Sequence, residues 1–114
     1  MRAVEPGRIT AKDGRPVAGA AVSAYFFDSD AKVWRLWDGK TYGQENPQRT
    51  GPGGEFRYFL PPGTYELRVR APGYRRAKTS PMVLNRPSLI TLSVPLEPAG
   101  FWENIFNRLE SFLP

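Results

Sequence analysis

Turn signals recurring at short intervals constrain this chain more than any other feature. Asp13-Gly14, Asp38-Gly39, Gly51-Pro52-Gly53-Gly54, Pro61-Pro62-Gly63 and Pro72-Gly73 divide it into short pieces. Aspartate and glycine tolerate positive φ, and proline fixes φ and removes a backbone donor, so each cluster ends a regular element. Twelve prolines and eleven glycines in 114 residues favour short strands joined by tight turns over long helices. The expected class is all-β, and one domain of this length can bury a core without metal or disulfide.

The intervals between turns alternate with the period of a strand. Gly7 to Lys12 is a short extended run. In Ala20 to Asp28, the residues Ala20, Val22, Ala24 and Phe26 share one face. Asp28-Ser29-Asp30 reads as a turn. In Lys32 to Trp37, Trp34 and Leu36 fall on one face and Val33, Arg35 and Trp37 on the other. Lys40 to Thr50 is polar, contains Asn46-Pro47, and reads as a long loop or weak edge strand. Glu55 to Leu60 sets Phe56, Tyr58 and Leu60 together. Thr64 to Ala71 is the clearest strand, with Tyr65, Leu67, Val69 and Ala71 on a dry face and Glu66, Arg68 and Arg70 on a wet one. Pro81 puts Tyr74 to Leu84 at a sheet edge or on a bulge, and Ser88 to Glu97 reads as the final strand, with Ile90, Leu92, Val94 and Leu96 inward.

After the hinge Pro98-Ala99-Gly100 the period changes. Trp102, Ile105, Phe106, Leu109, Phe112 and Leu113 recur at three- and four-residue steps, which predicts an amphipathic helix. The predicted division is therefore a sandwich over residues 1–97, then hinge and helix over 98–114. At roughly 20 Å the helix is too short to span a bilayer. Its apolar face needs the sandwich, a partner or a membrane surface to cover it, and its slightly acidic polar face argues against anionic lipid.

Composition narrows the chemistry. With no cysteine and no histidine, thiolate sites, disulfides and the commonest general base are excluded. The four aspartates all lie in or beside expected turns, so no paired-carboxylate site is legible, and neither catalysis nor a cofactor or metal is expected. The formal charge of +5 comes from twelve arginines and four lysines against eleven acidic residues. It favours anionic partners, although only Arg75 and Arg76 stand side by side and the simplest reading is a solvated basic surface.

GRITAKDGRPVAGAAVSAY at residues 7–25 and TGPGGEFRYFLPPGTYELRVRAPGYRR at 50–76 together resemble the carboxypeptidase regulatory-like family. The shared pattern is a strand, an Asp-Gly-x-Pro-hydrophobic-x-Gly-Ala turn, a strand, then Gly-x-Phe, Pro-Gly-x-Tyr and Gly-Tyr. The resemblance spans roughly residues 7–96 and lies in the ordered set rather than in any one motif. It implies a seven- or eight-stranded, mainly antiparallel, transthyretin-like (Ig-like) sandwich. In that sandwich Gly63 and Gly73 would allow turns, Phe56 and Tyr65 would fill the core, and Tyr74 would anchor a turn. The residues before the Gly54 turn depart from the family, which often has an acidic residue there, and this weakens any idea of a bound cation.

The resemblance also implies an accessory role: a non-catalytic spacer or binding module of a larger secreted or cell-surface protein. The extracytoplasmic placement rests on the family alone, because Met1 to Pro6 lacks the apolar stretch of a secretory leader. Two rivals are a carbohydrate-binding accessory domain and a structural subunit that self-associates through a sheet edge or the C-terminal helix. A protein or polysaccharide partner fits these readings. A nucleic acid does not, since no base-reading module accompanies the arginines.

Two surface features are candidate ligand sites. Trp34, Trp37 and Tyr42 flank the Asp38-Gly39 turn, where exposed rings would stack on sugars, Trp37 foremost; the plainer alternative has Trp34 in the core and Trp37 over a sheet edge. Arg57, Arg68 and Arg70, with Arg75 and Arg76 nearby, would share an outward face able to grip carboxylates or sulfates. Related adhesin modules join a lysine to an asparagine beside a buried carboxylate. Lys12, Asn85 and Glu55 or Glu66 would be that trio, although Lys12 at a turn and Glu66 on a wet face argue against it.

Overall fold

The structure is a computed structural model that describes residues 5–100. It is all-β. The strands are β1 (Gly7–Ala11), β2 (Ala21–Asp28), β3 (Val33–Leu36), β4 (Gln48–Arg49), β5 (Glu55–Phe56), β6 (Phe59–Leu60), β7 (Gly63–Arg70), β8 (Ala77–Lys78), β9 (Met82–Leu84), β10 (Ser88–Leu89) and β11 (Ser93–Leu96). A single 3-10 turn at Lys40–Tyr42 is the helical element among the described residues. None of these is a helix long and apolar enough to cross a membrane. The amphipathic helix expected from Phe101 to Leu113, with its Trp102, Ile105, Phe106, Leu109, Phe112 and Leu113 face, lies outside the described residues.

One layer is a six-stranded sheet built on the two longest strands. β2 and β7 pair antiparallel from Ala21↔Arg70 to Phe26↔Tyr65. β3 and β4 lie along the free side of β2, and β8 and β9 along the free side of β7. The other layer holds β11-β1-β5 and the two-stranded β10-β6. The pair β1–β11 is parallel, so the architecture is mainly rather than wholly antiparallel.

Period-two alternation decides what fills the space between the layers. Val22, Ala24, Leu67 and Val69 from the large sheet meet Ile9, Phe56, Leu60, Val94 and Leu96 from the other layer, all buried. Each fully buried Val, Leu or Ile contributes about 1.5–3 kcal/mol from removal of apolar surface from water. Gly54 at φ +73 serves the same seam. Its carbonyl accepts from the Ile9 N–H at 2.7 Å, and a Cβ there would collide with the Ile9 carbonyl.

The expected seven or eight strands become eleven because three predicted runs are each divided, among them Tyr74 to Leu84, which becomes β8 and β9. Glu55 to Leu60 is not one strand: β5 pairs with β1 and β6 with β10, and Tyr58 between them turns fully inward. Ser88 to Glu97 likewise divides into β10 and β11. Alternation alone cannot show this, because a chain can keep its inward residues while changing its hydrogen-bonded neighbour. Glu66 is a second correction. It alternates onto the outer face of β7 as expected, yet it is only 3% exposed, because the outer face is itself partly covered by side chains.

Candidate functional site

The outer face of the six-stranded sheet collects most of the chemically distinctive side chains. In the register, Phe27 stands opposite Trp34, and Tyr25 opposite both Leu36 and Glu66. The Phe27 and Trp34 rings meet edge to face at 5.3 Å between centroids. Trp34 is half-buried, while Phe27 and Leu36 are exposed large apolar residues. This end of the sheet is an aromatic platform open to solvent.

Beside it, Arg68 lies over the Tyr25 ring with Cζ 3.8 Å from the centroid. It also donates from Nε and Nη2 to Glu66 Oε1 at 2.9 and 2.7 Å. The guanidinium therefore satisfies a buried carboxylate and stacks on a tyrosine at once, which fixes its plane against the sheet. Beyond Arg68 the face turns basic. Arg49 and Arg70 flank Ala21 in one row, and Lys78 stands opposite Arg68 in the next.

The sequence-predicted residues thus regroup. Trp34, Arg68 and Arg70 share one face. Arg57 sits in the other layer's β5–β6 link and faces solvent elsewhere, since strands consecutive in sequence here belong to different sheets. Trp37, the foremost candidate for stacking, is core at 6% exposure. Its ring supports Tyr42 in a stacked pair at 5.3 Å and 23°, and meets Tyr58 edge to face at 6.3 Å. The alternative that put Trp34 in the core is inverted: Trp37 is interior and Trp34 lies on the outer face. Tyr42 remains 55% exposed, and a shallow depression of about 520 Å³ beside the Asp38-Gly39 turn is lined by Leu36, Trp37, Asp38, Lys40, Gln44 and Pro47 among others.

Lys12 lies 3.7 Å from Glu97 Oε1 with both side chains largely exposed, and Asn85 is exposed. Glu66 is held by Arg68, and Glu55 is half-buried against the Gly51–Gly53 turn. The desolvated trio that a lysine–asparagine cross-link requires is not assembled.

A set of side chains missed in the sequence supports the whole arrangement. Asn46 Nδ2 donates to the Ala24 and Trp37 carbonyls at 2.8 Å each, and its Oδ1 accepts from the Ala24 N–H at 2.9 Å. Tyr58 donates its hydroxyl to the Val22 carbonyl at 2.7 Å and lies 2.9 Å from Asn46 Oδ1. Burial raises the Tyr58 pKa well above the ordinary 10.0. Gln44 brackets the Phe59 peptide, donating to its carbonyl at 2.7 Å and accepting from its N–H at 2.9 Å. Gln48 does the same for Arg57, at 2.5 and 2.8 Å. A carboxamide carries a donor and an acceptor as a peptide does, so three amides replace a missing strand between the layers. The legible signal was their spacing, Gln44, Asn46 and Gln48, one every second residue in a segment with little apolar alternation.

The β2–β3 turn is held by Asp28. Its Oδ1 accepts from the Ala31 and Asp30 N–H groups at 3.1 and 3.0 Å, and its Oδ2 from Arg35 Nε at 2.9 Å. The Ala31 N–H, and then the Arg35 guanidinium, hold the carboxyl below its ordinary value of 3.8.

Comparison with solved structures finds similarity to parts of longer chains. 3-Chlorocatechol 1,2-dioxygenase from Rhodococcus opacus 1CP matches with a TM-score of 0.50 at 15% identity, over 87% of this chain and 63% of that one. Hydroxyquinol 1,2-dioxygenase from Pseudomonas putida DLL-E4 matches with a TM-score of 0.47 at 16% identity, over 87% and 58%. The chain thus spans about three fifths of the length of these structures. No curated protein matches the sequence. The likeness to the chlorocatechol dioxygenase corrects the expectation that the chain is not an enzyme. A sandwich of this fold occurs in a chain that is one, so the accessory-domain argument does not exclude catalysis.

The model of the carboxypeptidase regulatory-like domain matches residues 6–97, which takes in all eleven strands and both faces of the large sheet. The chain belongs to the carboxypeptidase regulatory-like domain family.

Proposed function

We infer that the chain is a binding module of a larger secreted or cell-surface protein, and that it meets an extended partner with the outer face of its six-stranded sheet. The single observation that carries this reading is the solvent-facing pair of exposed Phe27 and half-buried Trp34, continued along the sheet by Leu36 and Tyr25 and bounded by the fixed Arg68 guanidinium. A sheet whose inner face already seals the core has no structural need for two aromatic rings on its other face, and exposed aromatic clusters mark contact surfaces. The rigid sandwich holds them on one sheet face, so little conformational entropy is lost when an extended ligand docks.

A carbohydrate-type partner suits this surface, because the apolar face of a sugar ring lies against an aromatic ring while its hydroxyls bond to neighbouring polar groups. The test is a panel of soluble neutral and acidic polysaccharides, read by tryptophan fluorescence and by direct binding of the full chain and its Trp34→Ala variant. Binding that falls about tenfold or more in Trp34→Ala, in line with loss of a central aromatic anchor, supports the reading. Binding that survives Trp34→Ala and is lost in Tyr42→Ala moves the site to the depression beside the Asp38-Gly39 turn and overturns it.

A further inference from the structure

The outer face has two ends of different chemistry, and together they specify a ligand class. At the aromatic end stand Phe27, Trp34 and Leu36. At the other, the row Arg49–Ala21–Arg70 lies next to the row Ser23–Arg68–Lys78. Ala21 and Ser23 are small, so the cationic side chains rim a trough whose floor is β2. No Asp or Glu stands in either row, and the one carboxylate on this face, Glu66, is buried and consumed by Arg68. Among the described residues Arg70 and Lys78 are exposed and make no ion pair, and Arg49 bonds the Gly19 carbonyl alone. Along β2, from Phe27 to Ala21, the two ends are separated by about 20 Å, the rise of six residues in a strand. A single small anion cannot touch both.

We propose that the ligand of this face is an acidic polysaccharide, which sets a sugar ring against the Trp34–Phe27 pair and its carboxylate or sulfate groups against Arg70, Lys78 and Arg49. This rests on the reading of the outer face as the binding surface and adds the charge of the partner. The chemistry is that of a polymer with repeated rings and repeated anions: the rings match the aromatic end, and the anions match a cationic trough that the protein leaves uncompensated. Arg68 acts differently. Its charge is already spent on Glu66, so it holds Tyr25 and the plane of the face rather than the ligand's anions.

The test uses the full chain with dextran sulfate and polygalacturonate as acidic probes, neutral dextran as their control, and a single-stranded oligonucleotide and anionic vesicles as competing polyanions. Arg70→Glu/Lys78→Glu leaves the Glu66–Arg68 pair intact, and circular dichroism with thermal melting checks that it folds. The acidic polysaccharides are expected to bind more tightly than dextran. Their affinity should fall by at least about tenfold in the double reversal and weaken as salt rises, because exposed charges are screened. If Trp34→Ala abolishes binding and the double reversal does not, the face is a binding surface but its ligand is not acidic, and the proposal fails alone. If neither variant changes binding, the proposal and the reading of the face both fail. An oligonucleotide or vesicle bound more tightly than both acidic polysaccharides overturns the ligand class.

Discussion

The two faces of the six-stranded sheet are built from the same strands by the same alternation, yet they differ in how far each residue is determined by the fold. On the inner face Val22, Ala24, Leu67 and Val69 are buried completely, and every polar group that enters is matched, as where Asn46 and Tyr58 close on Ala24 and Val22. On the outer face the residues are larger than packing requires and more charged than solubility requires, with Trp34 half-buried, Leu36 exposed and Arg70 exposed without an ion pair among the described residues. The difference teaches where to look for function: the inner face answers to the core, and the outer face holds side chains that the fold does not explain.

Substitutions should separate the faces, and the inner ones should have the largest effect on stability. Asn46→Ala leaves the Ala24 N–H without its acceptor in a part-buried seam, while the Ala24 and Trp37 carbonyls keep the Trp37 and Gly39 N–H groups, so unfolding free energy should drop by about 2 kcal/mol in denaturant titration, since an unsatisfied group costs about 1–3 kcal/mol. A loss below about 0.5 kcal/mol would mean that the amide clip is ornamental. Tyr58→Phe should cost about 1–2 kcal/mol through the unpaired Val22 carbonyl. It should also change the alkaline limb of the stability profile. The folded pKa of Tyr58 is raised above the unfolded 10.0, so its contribution is full below pH 10 and is lost as pH climbs beyond it. The phenylalanine variant should lose that part of the alkaline decline.

Gln44→Ala and Gln48→Ala should each cost about 1 kcal/mol, and the two effects should add if each amide brackets its own peptide independently. Trp34→Ala, on the outer face, should change stability by about 1 kcal/mol or less, the worth of one aromatic pair, while abolishing ligand binding. A larger loss of stability would make Trp34 a core residue after all and erase the contrast between the faces. The smallest effect belongs to Asp28. Its folded pKa lies below 3.8, so its contribution is present above that value and fades as pH falls through the folded pKa. Asp28→Asn should flatten the stability profile only below about pH 4, the usual range of aspartate titration.

The sandwich was legible because its information is local: turn residues at fixed places, alternation between them, and an ordered motif set. What alternation could not reveal was partner choice. Arg57 follows Phe56 in the same predicted strand, yet belongs to the other layer, so the expected row of Arg57, Arg68 and Arg70 keeps only the last two. Trp34 and Trp37 were correctly set on opposite faces of their segment. Which of the two faces is buried depends on β2 and on Asn46, whose amide draws the Trp37 carbonyl inward. The parity of Glu66 points to a wet position, and parity carries no trace of the Arg68 and Tyr25 side chains that lie beside it. In the segment from Lys40 to Thr50, polar residues gave no apolar period to read, although the carboxamides repeat every second residue and perform a strand's hydrogen bonding.

The claim that the outer face is the working surface is tested most directly by following the indole N–H resonances of Trp34 and Trp37 while an acidic polysaccharide is titrated into the labelled full chain, with Trp34→Phe and Trp102→Phe to assign the three indole peaks. The account predicts that the Trp34 resonance shifts with saturation while that of Trp37, sealed beneath Tyr42, stays in place. A shift of Trp37 with Trp34 unmoved would contradict it.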